Sequence, residues 1–233
     1  MIERNTTKEA VRPKCWTIDD MKRSLLEALR GRFLLTCEYP DTILLNETWM
    51  DILEDLHKPG KIQRNIRNIF RPISPLRTSP IEYGFTVVTN RKKNTVFIPT
   101  KKSVGEKTHV SFEDYDKKHF QYLLGILHSH PSGQLFSSED ILPLMTGANF
   151  FAGVVTSSKY YLAFKAKDTK GMGSNNFVNR GYLLAMARAH LILTSRNPSK
   201  DTRSFGMTKS MFRELNMPLY VGNRLQFKLK RTR

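Results

Sequence analysis

The stretch YLLGILHSH, residues 122–130, is apolar until it reaches two histidines that stand one residue apart. Its apolar part is short enough for a buried β-strand, and that strand would lead directly into His128 and His130. Residues two apart on an extended strand point to the same face, so the two imidazoles can converge on one point. Neutral imidazole is a good zinc ligand. The stretch therefore predicts either a metal site at the end of a buried strand or an ordinary loop with two histidines.

Helical segments precede this stretch. Residues 17–33 predict a helix, because apolar side chains recur every three or four positions and share one face: Ile18, Met21, Leu25 and Leu29. Thr17, followed three residues later by Asp20, resembles a capping box at the start of that helix. Residues 46–58, NETWMDILEDLHK, predict a second amphipathic helix that ends before Pro59 and Gly60.

Strands become frequent after residue 82. YGFTVVTN and TVFIPT predict two strands around a polar turn, and residues 150–166 predict a hairpin about a Ser-Ser turn. Residues 137–149 predict a short helix that Pro143 limits or kinks, residues 176–193 predict a longer one, and the C-terminal remainder is expected to be basic and irregular. Because strands and helices interleave, the fold class is α+β or mixed α/β.

A proline-rich segment suggests how the chain is divided. RPISPLRTSP, residues 71–80, holds three prolines and predicts an extended linker at roughly 72–80. We therefore expect a helical N-terminal accessory region at 1–77, a central domain at 78–195 and a basic C-terminal extension at 196–233. The apolar helix faces of the first region need a partner, either the central domain or another protein.

Positive charge is concentrated in the C-terminal quarter. Residues 169–233 hold 13 Lys/Arg against 2 Asp/Glu, whereas residues 1–77 hold 14 against 11. A segment of this kind can bind nucleic-acid phosphate, an acidic protein surface or an anionic membrane, and a solvated face without a partner is the alternative. Aromatic residues interleave with the basic ones, which favours a folded binding element over a loose tail: Phe205, Phe212, Tyr220 and Phe227.

Composition restricts the cellular setting. No run approaches 18 apolar residues, so a membrane span is not expected, and the N-terminal segment lacks the apolar region of a signal peptide. The two cysteines, Cys15 and Cys37, form neither a disulfide framework nor a zinc ribbon. A reducing, cytoplasmic location is the expectation.

Residues after the two histidines offer a third ligand. Asp140 follows His130 by ten residues and reaches the same point if the Pro-Ser-Gly turn brings the chain back. Ser137 lies three residues before Asp140, so both can face one side of the first helical turn, where a hydroxyl would hydrogen-bond the oxyanion of an attacked carbonyl. The alternative is plain turn chemistry followed by a helix start with acidic residues in its first turn.

HSHPSGQLFSSED, residues 128–140, resembles the JAMM motif of the MPN or JAB family of zinc metalloproteases, His-x-His-Pro, a spacer, then Ser-x-x-Asp. The resemblance implies one zinc ion per chain held by His128, His130 and Asp140, with Ser137 on the oxyanion side. IEYGFTVV looks like the family's upstream element and makes Glu82 the general acid/base. The resemblance covers roughly residues 78–195 and implies a JAB/MPN-like three-layer core, with a mostly antiparallel central sheet flanked by helices.

The spacer departs from the family pattern. Six residues are expected between the proline and the serine, and SGQLF supplies five if Ser137 is the serine. Shifting to Ser138 restores six but puts Ile141, which cannot bind metal, at the third-ligand position. We keep Ser137 with Asp140 and expect a turn that is one residue shorter.

The activity that the resemblance implies is zinc-dependent hydrolysis of a peptide or isopeptide bond, at the C-terminus of a ubiquitin-like protein or in a conjugate of one. No long insertion follows Asp140, which suggests a compact catalytic domain. The alternative is a non-catalytic module of the same family, or a RadC-like one to which the HPSG turn is similar. Such a module would act in a nucleic-acid-associated assembly through its basic C-terminus.

Overall fold

The computed structural model of the chain describes residues 13–50, 52, 82–90, 95–97, 103–104, 121–130, 135–146, 149–156, 159–170, 201–223, 226 and 228–233. The predicted linker, the late helix at 176–193 and the turn at 131–134 lie outside these residues, as does the linker-side end of the second predicted helix.

Among the described residues, ten strands form one mixed sheet. They are β1 Cys15–Trp16, β2 Thr42–Leu44, β3 Tyr83–Asn90, β4 Thr95–Phe97, β5 Ser103–Val104, β6 Gln121–Ser129, β7 Phe151–Val155, β8 Lys159–Phe164, β9 Leu219–Asn223 and β10 Lys228–Arg231. The order across the sheet is β1-β2-β10-β9-β8-β7-β6-β3-β4, and β5 pairs with β3. β1 with β2 and β6 with β7 run parallel, and the other described pairs are antiparallel.

Three α-helices of the described residues accompany the sheet: α1 Ile18–Leu29, α2 Ser138–Thr146 and α3 Asp201–Glu214. A short 3-10 helix spans Thr36–Glu38. Helix α1 begins with the predicted capping box, because the Thr17 hydroxyl accepts from the Asp20 N–H and the Asp20 carboxylate accepts from the Thr17 N–H. Residues 47–50 are helical and follow Asn46, whose side chain accepts from the Trp49 N–H. None of the helices in the described part of the chain is long and apolar enough to span a membrane.

Both faces of the sheet are covered. Alternate residues of β8 point to opposite sides, so Leu162 packs in one apolar cluster and Ala163 in the other. The first cluster joins the sheet to α1 and to the helical turn at 47–50, and the second joins it to α2 and α3. Helices on two faces of one mixed sheet confirm the mixed α/β fold class.

The N-terminal region packs on the same core as the central strands. Met21 of α1, Ile43 of β2 and Trp49 belong to the cluster that also contains Leu127 of β6. The apolar face of α1 therefore finds its partner within the chain.

The expectation of an irregular C-terminus is wrong. Residues 201–214 form α3, and β9 and β10 enter the sheet between β8 and β2. Phe212 and Tyr220 are buried in the two clusters, so two of the aromatic residues that interleave with the basic ones are core residues. Pairing with neighbouring strands makes KLKR a strand, because its own sequence has little strand preference and contains a single apolar residue, Leu229.

β6 and β7 approach each other closely at Gly125. A Cβ atom there would lie 2.3 Å from the carbonyl oxygen of Phe151, closer than real atoms come. Gly125 pairs with Val87 of β3 next to a bulge in β6, where Leu124 is the extra residue between the partners of Val87 and Val88. Glycine at this position therefore lets β6 lie close against β7 just before the histidines at the end of β6.

Candidate metal centre

The two histidines stand at the end of β6, as predicted. His128 pairs with Gly84 of β3 on one side and with Val154 of β7 on the other. One residue past the strand, the His130 N–H donates to the Val155 carbonyl at 2.8 Å. Because β6 is paired with a strand on each side, the backbone that carries both imidazoles is fixed.

The two imidazoles converge. Their Nε2 atoms are 2.9 Å apart, and the rings meet edge to face with centroids 4.6 Å apart. His128 and His130 are 2% and 5% exposed, so the pair lies in the interior.

Helix α2 brings Asp140 to the imidazoles. Its Oδ1 lies 2.8 Å from Nε2 of His128 and its Oδ2 lies 3.6 Å from Nε2 of His130. The start of the helix holds this carboxylate, because the Ser137 N–H donates to Oδ2 at 2.5 Å and the Asp140 N–H donates to the Ser137 hydroxyl at 3.2 Å. Ser137 is therefore the N-cap in a capping box with Asp140, and Pro143 lies inside α2 without ending it.

Glu82 completes the cluster from the residue before β3, the strand on the opposite side of β6 from β7. It precedes β3, is 8% exposed, and its Oε1 lies 3.9 Å from Nε2 of His130. One ligand atom each from Glu82, His128 and His130 lie within 4.8 Å of one another. This buried group can hold a metal ion.

Charge is balanced inside the cluster. Burial by itself favours the neutral imidazole of His128, but the Asp140 carboxylate, with Glu82 and the Gly153 backbone, raises the pKa of His128 overall. Burial likewise opposes ionisation of Asp140, but its contacts with His128 and His130 and with the Ser137 N–H hold the pKa of this carboxyl well below its usual range. The cluster therefore favours a positive charge between its imidazoles and its carboxylates, as a proton or as a cation.

The structure brings together every side chain that the sequence singled out. Glu82, His128, His130 and Asp140 are buried neighbours, and Ser137 is half-buried beside them. The five-residue spacer does not prevent Asp140 from reaching His128, although residues 132–134 of the spacer lie outside the described part of the chain.

Sequence reasoning missed Ser129. Its hydroxyl accepts from the Tyr83 N–H at 2.9 Å and lies 3.5 Å from the Tyr83 carbonyl oxygen. The sequence does place a serine between two histidines that share a face of the strand. Its side chain must point to the opposite face, so a contact with another element could have been expected there.

The basic residues of the C-terminus lie partly on the sheet. Lys230 of β10 is exposed, Lys228 is half-buried, and both point away from the face that buries Leu229. Arg213 of α3 and Arg233 are also exposed. This part of the chain offers cationic side chains on an ordered strand and helix.

Comparisons of the chain with models of protein families, with curated proteins and with solved structures found no significant match.

Proposed function

We propose that the chain is a zinc-dependent metallopeptidase of the JAMM type that hydrolyses a peptide or isopeptide bond at the C-terminus of a ubiquitin-like protein. The observation that carries the proposal is the convergence of four buried side chains from three elements. His128 and His130 come from β6, Asp140 from α2, and Glu82 from the residue before β3.

The donor atoms suit zinc. In a tetrahedral site with zinc–nitrogen and zinc–oxygen distances of about 2.0–2.1 Å, neighbouring ligand atoms are about 3.3 Å apart. The separations of 2.9 Å between the two imidazoles, and of 2.8 and 3.6 Å from them to Asp140, bracket that value. His128, His130 and Asp140 would hold the ion, one per chain. Bound zinc supplies a water of lowered pKa, toward about 7, and polarises a carbonyl.

Glu82 is the proposed general acid/base. Its carboxylate lies farther from His130 than Asp140 does, 3.9 Å against 3.6 Å, and it comes from the opposite side of β6. A carboxylate placed beside the ligands can take a proton from water and return it to the leaving amine. In this arrangement Glu82 acts on protons while Asp140 acts as a ligand.

Ser137 is the proposed oxyanion donor. Its hydroxyl oxygen accepts from the Asp140 N–H, which leaves the hydroxyl hydrogen available for a second partner. Because the N-cap contact fixes this hydroxyl before substrate binds, donating it to a developing oxyanion needs little reorganisation.

The overall arrangement supports the JAB/MPN-like fold as part of this proposal. The sheet is mostly antiparallel, helices lie on both of its faces, and the histidine strand β6 is paired with a strand on each side. The choice of a ubiquitin-like substrate rests on the resemblance of residues 128–140 to the JAMM motif.

Metal analysis tests the proposal most directly. Purified wild-type protein should contain one zinc per chain, and His128→Ala should contain none. A wild type without zinc, or equal zinc in the two proteins, would overturn the assignment. Incubation with fusions of ubiquitin-like proteins should then show cleavage that Glu82→Gln abolishes while zinc stays bound.

A second candidate is a non-catalytic or RadC-like module that binds nucleic acid or an acidic protein surface through its basic C-terminus. The exposed side chains of Lys230 and Arg213 favour it. Phosphate contacts would make binding weaken steeply with salt, because bound counterions are released. Mobility-shift titration over a salt series tests whether the chain binds nucleic acid. Nucleic-acid binding without cleavage of any ubiquitin-like fusion would favour this candidate over the first.

A further inference from the structure

Ser129 links the strand that carries the histidines to the backbone next to Glu82. The Ser129 side chain is 5% exposed and points to the face of β6 opposite to His128 and His130. Its hydroxyl accepts from the Tyr83 N–H at 2.9 Å and lies 3.5 Å from the Tyr83 carbonyl oxygen. A buried hydroxyl therefore engages the residue that directly follows Glu82.

This contact lies where the two strands separate. The described register between β3 and β6 ends with Gly84 opposite His128. Beyond that pair, Tyr83 remains paired with Val104 of β5, and Ser129 remains paired with Val155 of β7. The Ser129 hydroxyl bridges the two strands past their last backbone pair.

We propose that Ser129 is a positioning residue that sets the place of the Glu82 carboxylate relative to the histidines. Glu82 directly precedes β3, so its backbone is joined to the residue that the Ser129 hydroxyl contacts, Tyr83. The inference deepens the proposed function, since it concerns the side chain assigned there as the general acid/base.

The histidines do not depend on this hydroxyl. Their backbone is fixed by β7, through the pairing of His128 with Val154 and the bond from the His130 N–H to the Val155 carbonyl. Replacing Ser129 by alanine should therefore disturb Glu82 and leave the zinc ligands in place. Zinc content of Ser129→Ala should equal that of the wild type.

Amide hydrogen exchange tests the contact without any measurement of activity. Ser129→Ala removes the hydroxyl that accepts from the Tyr83 N–H, and the exchange of this amide should become faster by about tenfold. Thr169→Val is the matched control, because Thr169 is also buried and its hydroxyl accepts from the Ala166 N–H at 2.8 Å. The control should leave Tyr83 exchange unchanged. An unchanged Tyr83 rate in Ser129→Ala would overturn the proposal.

Kinetics test the consequence. Ser129→Ala should lower kcat by about 10- to 100-fold at unchanged KM, because residues that hold an active-site group in place contribute by about this factor. Ser129→Thr keeps a hydroxyl and should restore most of the lost kcat. In a Glu82→Gln background the same substitution should cost nothing further, because the group it positions is already disabled. An equal loss in both backgrounds would show that Ser129 does not act through Glu82.

The two tests separate failure of this inference from failure of the proposed function. If the wild type neither binds zinc nor cleaves a substrate, the proposed function is wrong, and the exchange of the Tyr83 amide still decides whether Ser129 holds the segment that carries Glu82. If the enzyme is active but Ser129→Ala matches the wild type in exchange and in kcat, the inference alone is wrong.

Discussion

One carboxylate oxygen of Asp140 lies 2.8 Å from Nε2 of His128, while the other oxygen accepts from the N–H of Ser137. The same carboxylate thus faces the imidazoles and caps the start of α2. Because the helix end fixes its orientation, Asp140 reaches the cluster in one rotamer without freedom to swing away.

Two isosteric substitutions distinguish the proposed metal ligands from the proposed base. Asp140→Asn removes a charged ligand, and we expect the zinc affinity to fall by on the order of 100-fold or more. Glu82→Gln removes only a proton acceptor, so zinc should stay and cleavage should stop. Competition with a chromophoric chelator measures both. Loss of zinc in Glu82→Gln together with its retention in Asp140→Asn would assign Glu82 to the metal instead.

Ser137 has a structural role and a proposed catalytic role, and alanine and glycine distinguish them. As an N-cap, Ser137→Ala should destabilise the protein by about 1 kcal/mol, whereas Ser137→Gly should cost only a few tenths. Both variants lack the hydroxyl, so both should lose about 100-fold or more in kcat. Urea denaturation and steady-state kinetics measure the two effects. The neighbouring Ser138→Ala should be neutral in kcat, and an equal loss there would shift the assignment to Ser138.

A buried amine just past the end of β8 should make stability depend on pH. Lys165 is 1% exposed, its Nζ has no hydrogen-bond partner among the residues that the structure describes, and the amine lies 5.4 Å from the centroid of the Phe150 ring. Burial lowers the pKa of Lys165 from 10.5 to about 8. Between these values the unfolded chain binds more protons than the folded one, so the free energy of unfolding contributed by Lys165 rises with pH through this window.

Lys165→Met should therefore stabilise the protein at pH 7, by up to about 3 kcal/mol, and the gain should shrink as the pH approaches 10. Urea denaturation of wild type and variant at pH 7 and pH 9.5 measures the difference. Lys167→Met, at a neighbouring exposed lysine, is the control and should change little at either pH. A gain for Lys165→Met that is the same at both pH values would contradict the assignment.

Two glycine-to-alanine substitutions should have opposite effects. At Gly125 the added methyl meets the Phe151 carbonyl oxygen at 2.3 Å, so Gly125→Ala should destabilise the protein by about 2–4 kcal/mol and disturb zinc binding at the end of β6. Gly206 lies in α3, and a methyl group added there would meet no described atom within 4 Å, so Gly206→Ala should stabilise by about 0.5–1 kcal/mol. Thermal unfolding compares the two, and a neutral Gly125→Ala would show that β6 and β7 can separate without cost.

Elements with strong local signals could be predicted from the sequence. Helix α1 follows from its capping box and from the spacing of Met21 and Leu25, and β6 follows from an apolar run that ends in polar residues. The start of the short helix α2 at Ser137 also follows from local chemistry, because serine and acidic residues satisfy the first free N–H groups. In each case the residues that form the element are close together in the chain.

Contacts between distant segments could not be predicted in this way. The 3.9 Å distance between Glu82 and His130 depends on how β3 pairs with β6, and a shift of one residue would turn the facing side chains away. The strand character of KLKR depends on its neighbours, since one buried residue, Leu229, is too weak a local signal. The resemblance to the JAMM motif gave the proposed ligand set, whereas the distances between those side chains came from the tertiary structure.

The position of β10 has a consequence for the order of folding during synthesis. β2 is bonded to β1 on one side and to β10 on the other, with Leu44 opposite Lys228. The N-terminal edge of the sheet therefore stays incomplete until the ribosome has made residue 228 and released it from the exit tunnel. Pairing at such a sequence separation closes a long loop and slows folding. We expect nascent chains that lack residues 228–231 to keep α1 accessible to protease while the metal cluster, built from residues 82–140, is already complete in sequence.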